Sequence, residues 1–178
     1  APADREVIPN GGAIHAFEYD GDRWVEYQKI AVAAEGEATR YYSFLGGQMA
    51  TDGTVLVART HTSGDVEKCH VYRKAGETWH WEADFISPDP SEFIGFCITA
   101  AVRGNTILVG ALNDDDLGEW SGSATVFRYS EGTLAEDARL TAEGGVPFDR
   151  FGRSVGISEN AYLIGATGHT EEPADGSS

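Results

Sequence analysis

Short apolar runs alternate with polar punctuation along almost the whole chain. Some runs are continuous, such as "TVLVA" (54–58), "TILVGA" (106–111) and "YLIGA" (162–166). Others alternate, such as "AIHAFEY" (13–19), "KCHVYRK" (68–74) and "SATVFRY" (123–129). Gly, Asn, Asp and Ser bound each run, so each reads as a strand closed by a turn. No segment keeps a 3.6-residue apolar period, so almost no helix is expected.

The pattern repeats. Segments starting at Ala13, Lys68 and Ser123 align, placing Phe17, Tyr72 and Phe127 together and Trp24, Trp79 and Leu134 together. "FLGGQMATDGTVLVA" from Phe44, "FCITAAVRGNTILVGA" from Phe96 and "FGRSVGISENAYLIGA" from Phe151 form a second aligned set, with Leu56, Leu108 and Leu163 in register. Each repeat predicts four strands, A to D. Strand A is 44–50, 96–102 and 151–157. Strand B is 54–58, 106–111 and 161–166. Strand C is 13–19, 68–74 and 123–129. Strand D is 24–30, 79–86 and 134–141. A four-stranded antiparallel unit of this length is a propeller blade.

The paired motifs "RFGRSV…LIGA" and "GFCITAAV…LVGA" resemble the FG-GAP repeat of integrin α-subunit heads and many secreted proteins. The terminal Pro of that motif is absent here. The resemblance implies a non-enzymatic β-propeller module with an extracellular or cell-surface setting. It also implies a structural or cell-adhesion role.

Chain order runs C, D, then A to D twice, then A, B. The expected fold is therefore all-β, a partial β-propeller with two full blades and a half blade at each end. Its parts are a half blade at 13–30, blades at 44–86 and 96–141, a half blade at 151–166 and a tail at 167–178. Three blades' worth of strands cannot close a ring. Exposed strand edges pair with other chains. Phe151, Val155, Ile157 and Leu163 at one end, and Ile14, Phe17 and Trp24 at the other, are the expected residues of blade completion between chains. Copies of the chain would then form a ring or a filament. The alternative is a fragment of a larger ligand-binding propeller, lectin-like or calcium-dependent, whose partner is the rest of a longer chain.

Bulk properties narrow the partners. The 178 residues carry a formal net charge of −16, which disfavours nucleic acid and anionic lipid. No apolar run reaches the roughly 20 residues of a membrane helix, so membrane insertion is not expected. Hydrophobic content of 41% and aromatic content of 11% support a packed core rather than disorder. The chain opens "APADRE" rather than with Met, as a processed protein does. Cys69 and Cys97 are either one bridge or two buried thiols; Cys97, at the Gly position of Phe-Gly, reads as a small buried hydrophobe.

Candidate chemistry is sparse. Turns within the A–B and C–D pairs are tight, while B–C and D–A loops are long, and binding concentrates on long loops. The loop "LNDDDLGEWSG" (112–122) offers Asn113, Asp114 and Asp116 as hard oxygen ligands for Ca²⁺, and no other cofactor is expected. The competing reading is an acidic turn that is solvated or binds a basic neighbour. Trp120 beside it is a candidate contact for glycans or protein. His15 and His70 occupy equivalent strand C positions and read as structural, as do Trp24 and Trp79 between blades. His80 and Trp81 are expected to face solvent or a partner. His61 and His169 would need to converge with further ligands to bind zinc. Ser154 lies in "GRSVG", but a nucleophile elbow needs a strand-to-helix turn, and here strand follows strand.

Overall fold

The structure is a computed structural model describing residues 12–31, 45–60, 67–87, 94–130 and 133–168. Twelve strands follow one another without a helix among the described residues. They are β1 (Ala13–Tyr19), β2 (Trp24–Ala31), β3 (Met49–Thr51), β4 (Val55–Thr60), β5 (Lys68–Ala75) and β6 (Thr78–Ile86). β7 (Phe96–Arg103), β8 (Thr106–Ala111), β9 (Ser123–Ser130), β10 (Thr133–Leu140), β11 (Phe151–Ile157) and β12 (Tyr162–Ala166) complete the set. Among the described residues no helix is long and apolar enough to cross a membrane.

The strands form four antiparallel sheets: β1-β2, β3-β4-β5-β6, β7-β8-β9-β10 and β11-β12. These are the expected half blade, two four-stranded blades and half blade. The chain divides into two compact units. One spans 1–91 with 102–104, and the other spans 92–101 with 105–178.

In the first unit, Ile14 and Ile30 of the β1-β2 pair bury against Leu45, Leu56, Ala58 and Tyr72. Trp79 closes this cluster. Its indole N–H donates to the Tyr27 hydroxyl at 2.9 Å. The Gln28 amide bonds the Trp79 backbone at both its N–H (2.6 Å) and its C=O (2.8 Å). A side-chain amide thus stands in for a strand between β2 and β6. In the second unit, Leu108, Ala124 and Val126 meet Phe151, Val155, Ile157 and Ile164 from the β11-β12 pair.

Strand boundaries agree with the expected ones to within two residues, except in strand A of the first blade. That strand, expected over 44–50, is ordered as β3 only at Met49–Thr51. The alignment there is also off by one. Gly12 bridges Leu45 just as Gly122 bridges Phe151, so Leu45, not Phe44, takes the Phe position. Phe44 itself lies outside the described residues. The β3-β4 hairpin pairs Thr51 with Leu56, and the β11-β12 hairpin pairs Ile157 with Tyr162. Leu56 therefore matches Tyr162, and Val57 rather than Leu56 matches Leu163. Backbone shape overrides side-chain likeness here. The residue after the Phe position must take positive φ, as Gly46 (89°) and Gly152 (86°) do.

One open alternative is decided and one expectation changes. Cys97, at the position of Gly152, adopts φ 59°, is buried as expected and is disulfide-bonded, as is Cys69; no free cysteine remains. Of the two readings left open for the cysteines, the bonded one holds. Trp24, expected to pack like Trp79, stands exposed.

One irregularity recurs in every C–D pair. The register slips between Ala16 and Phe17, between Val71 and Tyr72, and between Glu136 and Ala138. Each slip inserts one extra residue in strand D: Tyr27, Glu82 and Asp137. A bulge of this kind reverses which face the following side chains occupy. It turns Trp79 to the face that carries Tyr72 and Leu56.

Candidate functional site

The outer edges of the two half blades carry the clearest functional signal. Inside the full blades, strands B and C pair Leu56 with Tyr72 and Val57 with Val71, and Ile107 with Phe127 and Leu108 with Val126. All eight side chains are buried. In the half blades two of the four equivalent positions are exposed, while Ala16 and Tyr162 are half-buried. Phe17 takes the place of Tyr72 and Phe127, and is 51% exposed where they are 6%. Leu163 takes the place of Val57 and Leu108, and is 70% exposed where they are 0%. Among the described residues β1 pairs only with β2, and β12 only with β11. Trp24, matching the half-buried Trp79, is 69% exposed.

The seven residues expected to complete blades thus divide. Ile14, Phe151, Val155 and Ile157 are already packed within their own unit. Phe17, Trp24 and Leu163 remain open. Tyr19, which the sequence reading did not single out, extends the apolar surface beside Phe17 and Trp24, its ring tilted against Trp24 at 5.5 Å. Val25, opposite Glu18, is exposed on the other face. Strand alternation alone pointed to Tyr19, two residues after Phe17.

The acidic loop after β8 is a folded polar knot. Asp114 is buried. Its Oδ1 accepts the Asp116 N–H at 3.1 Å, and its Oδ2 accepts the Ser123 hydroxyl at 2.6 Å and pairs with Arg139. The same guanidinium reaches Asp116 Oδ2 at 2.9 Å. Asp115 Oδ1 accepts the Trp120 N–H at 2.7 Å. Asn113 faces Gly95, and its backbone N–H donates to Ile94. The Arg139 guanidinium stands where a cation would sit, so Asn113, Asp114 and Asp116 do not fit a Ca²⁺ site as arranged. Among the described residues no group of three or more His, Cys, Asp or Glu side chains is placed to hold a metal. His61 and His169 lie outside the described residues. Sequence reasoning missed Arg139, which lies far along the chain and arrives only through its β10 register opposite Thr125. The surplus of acids in one loop was the available signal.

This loop is laced to the one following β10. Phe148, Arg150 and Phe151 donate backbone N–H bonds to Glu119, Trp120 and Ser121 in turn, at 2.8–3.0 Å. Trp120, Phe148 and Arg150 all adopt positive φ, a conformation held by this ladder. Trp120 and Phe148 meet edge to face at 5.9 Å, and Arg150 lies over Trp120 at 5.4 Å. Leu117 and Val146 are exposed nearby. The result is an exposed aromatic ledge of Trp120 and Phe148 capped by Arg150.

A hydroxyl–imidazole–carboxylate chain crosses β4, β5 and β6. Thr60 Oγ1 lies 2.9 Å from His70 Nε2, and His70 Nδ1 lies 2.6 Å from Asp84 Oδ1. The Thr60 residue is buried, so the chain serves the sheet rather than presenting a nucleophile. Burial pushes the Asp84 carboxyl up. Hydrogen bonds from His70 and Trp81 and the charges of His70 and Lys68 outweigh it and bring it down to about 2. His15, in the place of His70, meets Glu26 at 2.8 Å, in keeping with a structural role for both.

Comparison with curated proteins finds no match. A family model, the FG-GAP repeat, matches residues 134–178, a stretch that takes in β10, β11 and β12. The blade geometry and this match agree: residues 134–178 are similar to an FG-GAP repeat, within an all-β chain of four-stranded and two-stranded antiparallel sheets consistent with propeller blades.

Proposed function

We propose that this chain is a non-enzymatic structural and adhesive module that assembles with copies of itself by completing blades. The observation that carries the reading is the contrast between equivalent positions. Phe17 and Leu163 are exposed at the ends where Tyr72, Phe127, Val57 and Leu108 are buried inside. Covering a side chain of that size is favourable by about 1.5–3 kcal/mol. Pairing β12 with β1 would also satisfy two rows of edge N–H and C=O groups. The disulfide-bonded state of both cysteines supports an extracellular setting.

Sedimentation equilibrium over a concentration series tests the proposal. The expected mass rises above the 19.1 kDa of one chain. Leu163→Asp is expected to hold the chain monomeric with an unchanged circular dichroism spectrum, because Leu163 is exposed in the lone chain. A wild-type mass that stays at one chain at every concentration would overturn the reading and point instead to a longer propeller as the completing partner.

A further inference from the structure

Resting on that reading, we infer the register and extent of the contact between copies. β12 of one copy pairs antiparallel with β1 of the next, Tyr162 opposite Phe17, Leu163 opposite Ala16, Ile164 opposite His15 and Gly165 opposite Ile14. Trp24 of the second copy then seats on β10 of the first.

Each half of this assignment is fixed by geometry inside the chain. On β12, Tyr162 closes its hairpin against Ile157 as Leu56 closes its own against Thr51. On β1, Phe17 is the first residue after the slip in register, opposite Glu26. Tyr72 and Phe127 hold the same place, opposite Trp81 and Glu136. The complete blades then supply the missing ladder. Leu56 pairs with Tyr72, and Ile107 with Phe127. One step along, Val57 pairs with Val71 and Leu108 with Val126, and Gly110 pairs with Ala124. Substituting the end strands gives the register stated. The small Ala16 side chain leaves room for Leu163, where the inner blades place Val71 and Val126.

The Trp24 seat follows from β2 and β6. Trp79 of β6 rests on Tyr27 and Gln28 of the preceding strand D. Trp24 occupies the same place on β2 that Trp79 does on β6. In a completed blade the preceding strand D is β10 of the copy that donates β12. Its positions matching Tyr27 and Gln28 are Asp137 and Ala138. The Asp137 carboxylate can accept the Trp24 indole N–H, as the Tyr27 hydroxyl accepts that of Trp79.

An equimolar mixture of two single variants, Leu163→Cys and Ala16→Cys, tests the register, since a bond between them can only join two copies. Oxidation is expected to give a disulfide-linked pair on a non-reducing gel. Mixing Leu163→Cys with Phe17→Cys should not, because Phe17 projects from the opposite face. If the mass rises with concentration but the offset pair links instead, or neither links, the register is overturned while self-assembly stands. If the mass does not rise, self-assembly itself fails. Trp24→Ala is expected to weaken association tenfold or more with an unchanged fold. Unaltered association would overturn the Trp24 seat alone.

Discussion

Single residues set the local chemistry of this chain mostly through carboxylates that accept several donors. Asp52 is one. Its Oδ1 takes the N–H groups of Thr54 and Val55 and the Thr54 hydroxyl, and Oδ2 takes the Gly104 N–H at 2.6 Å. Burial raises its pKa, but these donors outweigh it and bring it to about 2. Asp84 reaches about 2 through His70, Trp81 and Lys68. Both lie below their unfolded value, so their stabilisation is present above about pH 4 and is lost as the pH falls towards 2. Asp84→Asn should therefore lower the urea midpoint at pH 6 and shrink the loss between pH 6 and 2.5. An unchanged gap between the two pH values would count against Asp84. An Asp in a Thr-Asp-Gly turn is recognisable from sequence, because the side chain caps its own loop. Asp84 was not recognisable, because its partners His70 and Lys68 meet it only across a strand pair.

The elements show where sequence periodicity carries information and where it stops. Alternating and continuous apolar runs located eleven strands closely; the twelfth, β3, overlaps its expected span only at Met49 and Ala50 and has no buried residue to mark it. Such runs could not show the extra residue in strand D. Tyr27 shares no side-chain character with the acidic Glu82 and Asp137, and only the ladder reveals that the three share a position. Arg73 and Arg128 meet the last two as ion pairs, at 2.8 and 2.9 Å. Aligning Phe44 with Phe96 and Phe151 failed for a related reason. The repeat is anchored by backbone at the glycine after the Phe position and by the close approach of the next turn. At Gly152 a Cβ would overlap the Ser123 carbonyl, and φ is 86°. Gly152→Ala should therefore destabilise by about 2–4 kcal/mol, read as a lowered melting temperature. A neutral result would mean that the two strands can separate there without loss.

Across the whole molecule, charge opposes the association that the strand edges favour. Each copy brings a formal net charge of −16, so two copies repel until salt screens them. Assembly should strengthen as NaCl rises from low to physiological concentration and beyond. A weakening with salt would instead indicate an interface held by ion pairs. The acidity was plain in the composition. The use of Asp114 and Asp116 to hold Arg139 was not, since it depends on a chain reversal that only the fold supplies. In the proposed assembly the two edges also differ in kind: each copy would offer one β12 and accept through one β1. A copy disabled at Leu163 but intact at Phe17 and Trp24 could still be joined by a neighbour, yet would extend nothing further. If copies assemble as proposed into an open chain, a small admixture of such molecules would act as a dominant terminator, so one defective allele would shorten or break assemblies built largely from sound chains.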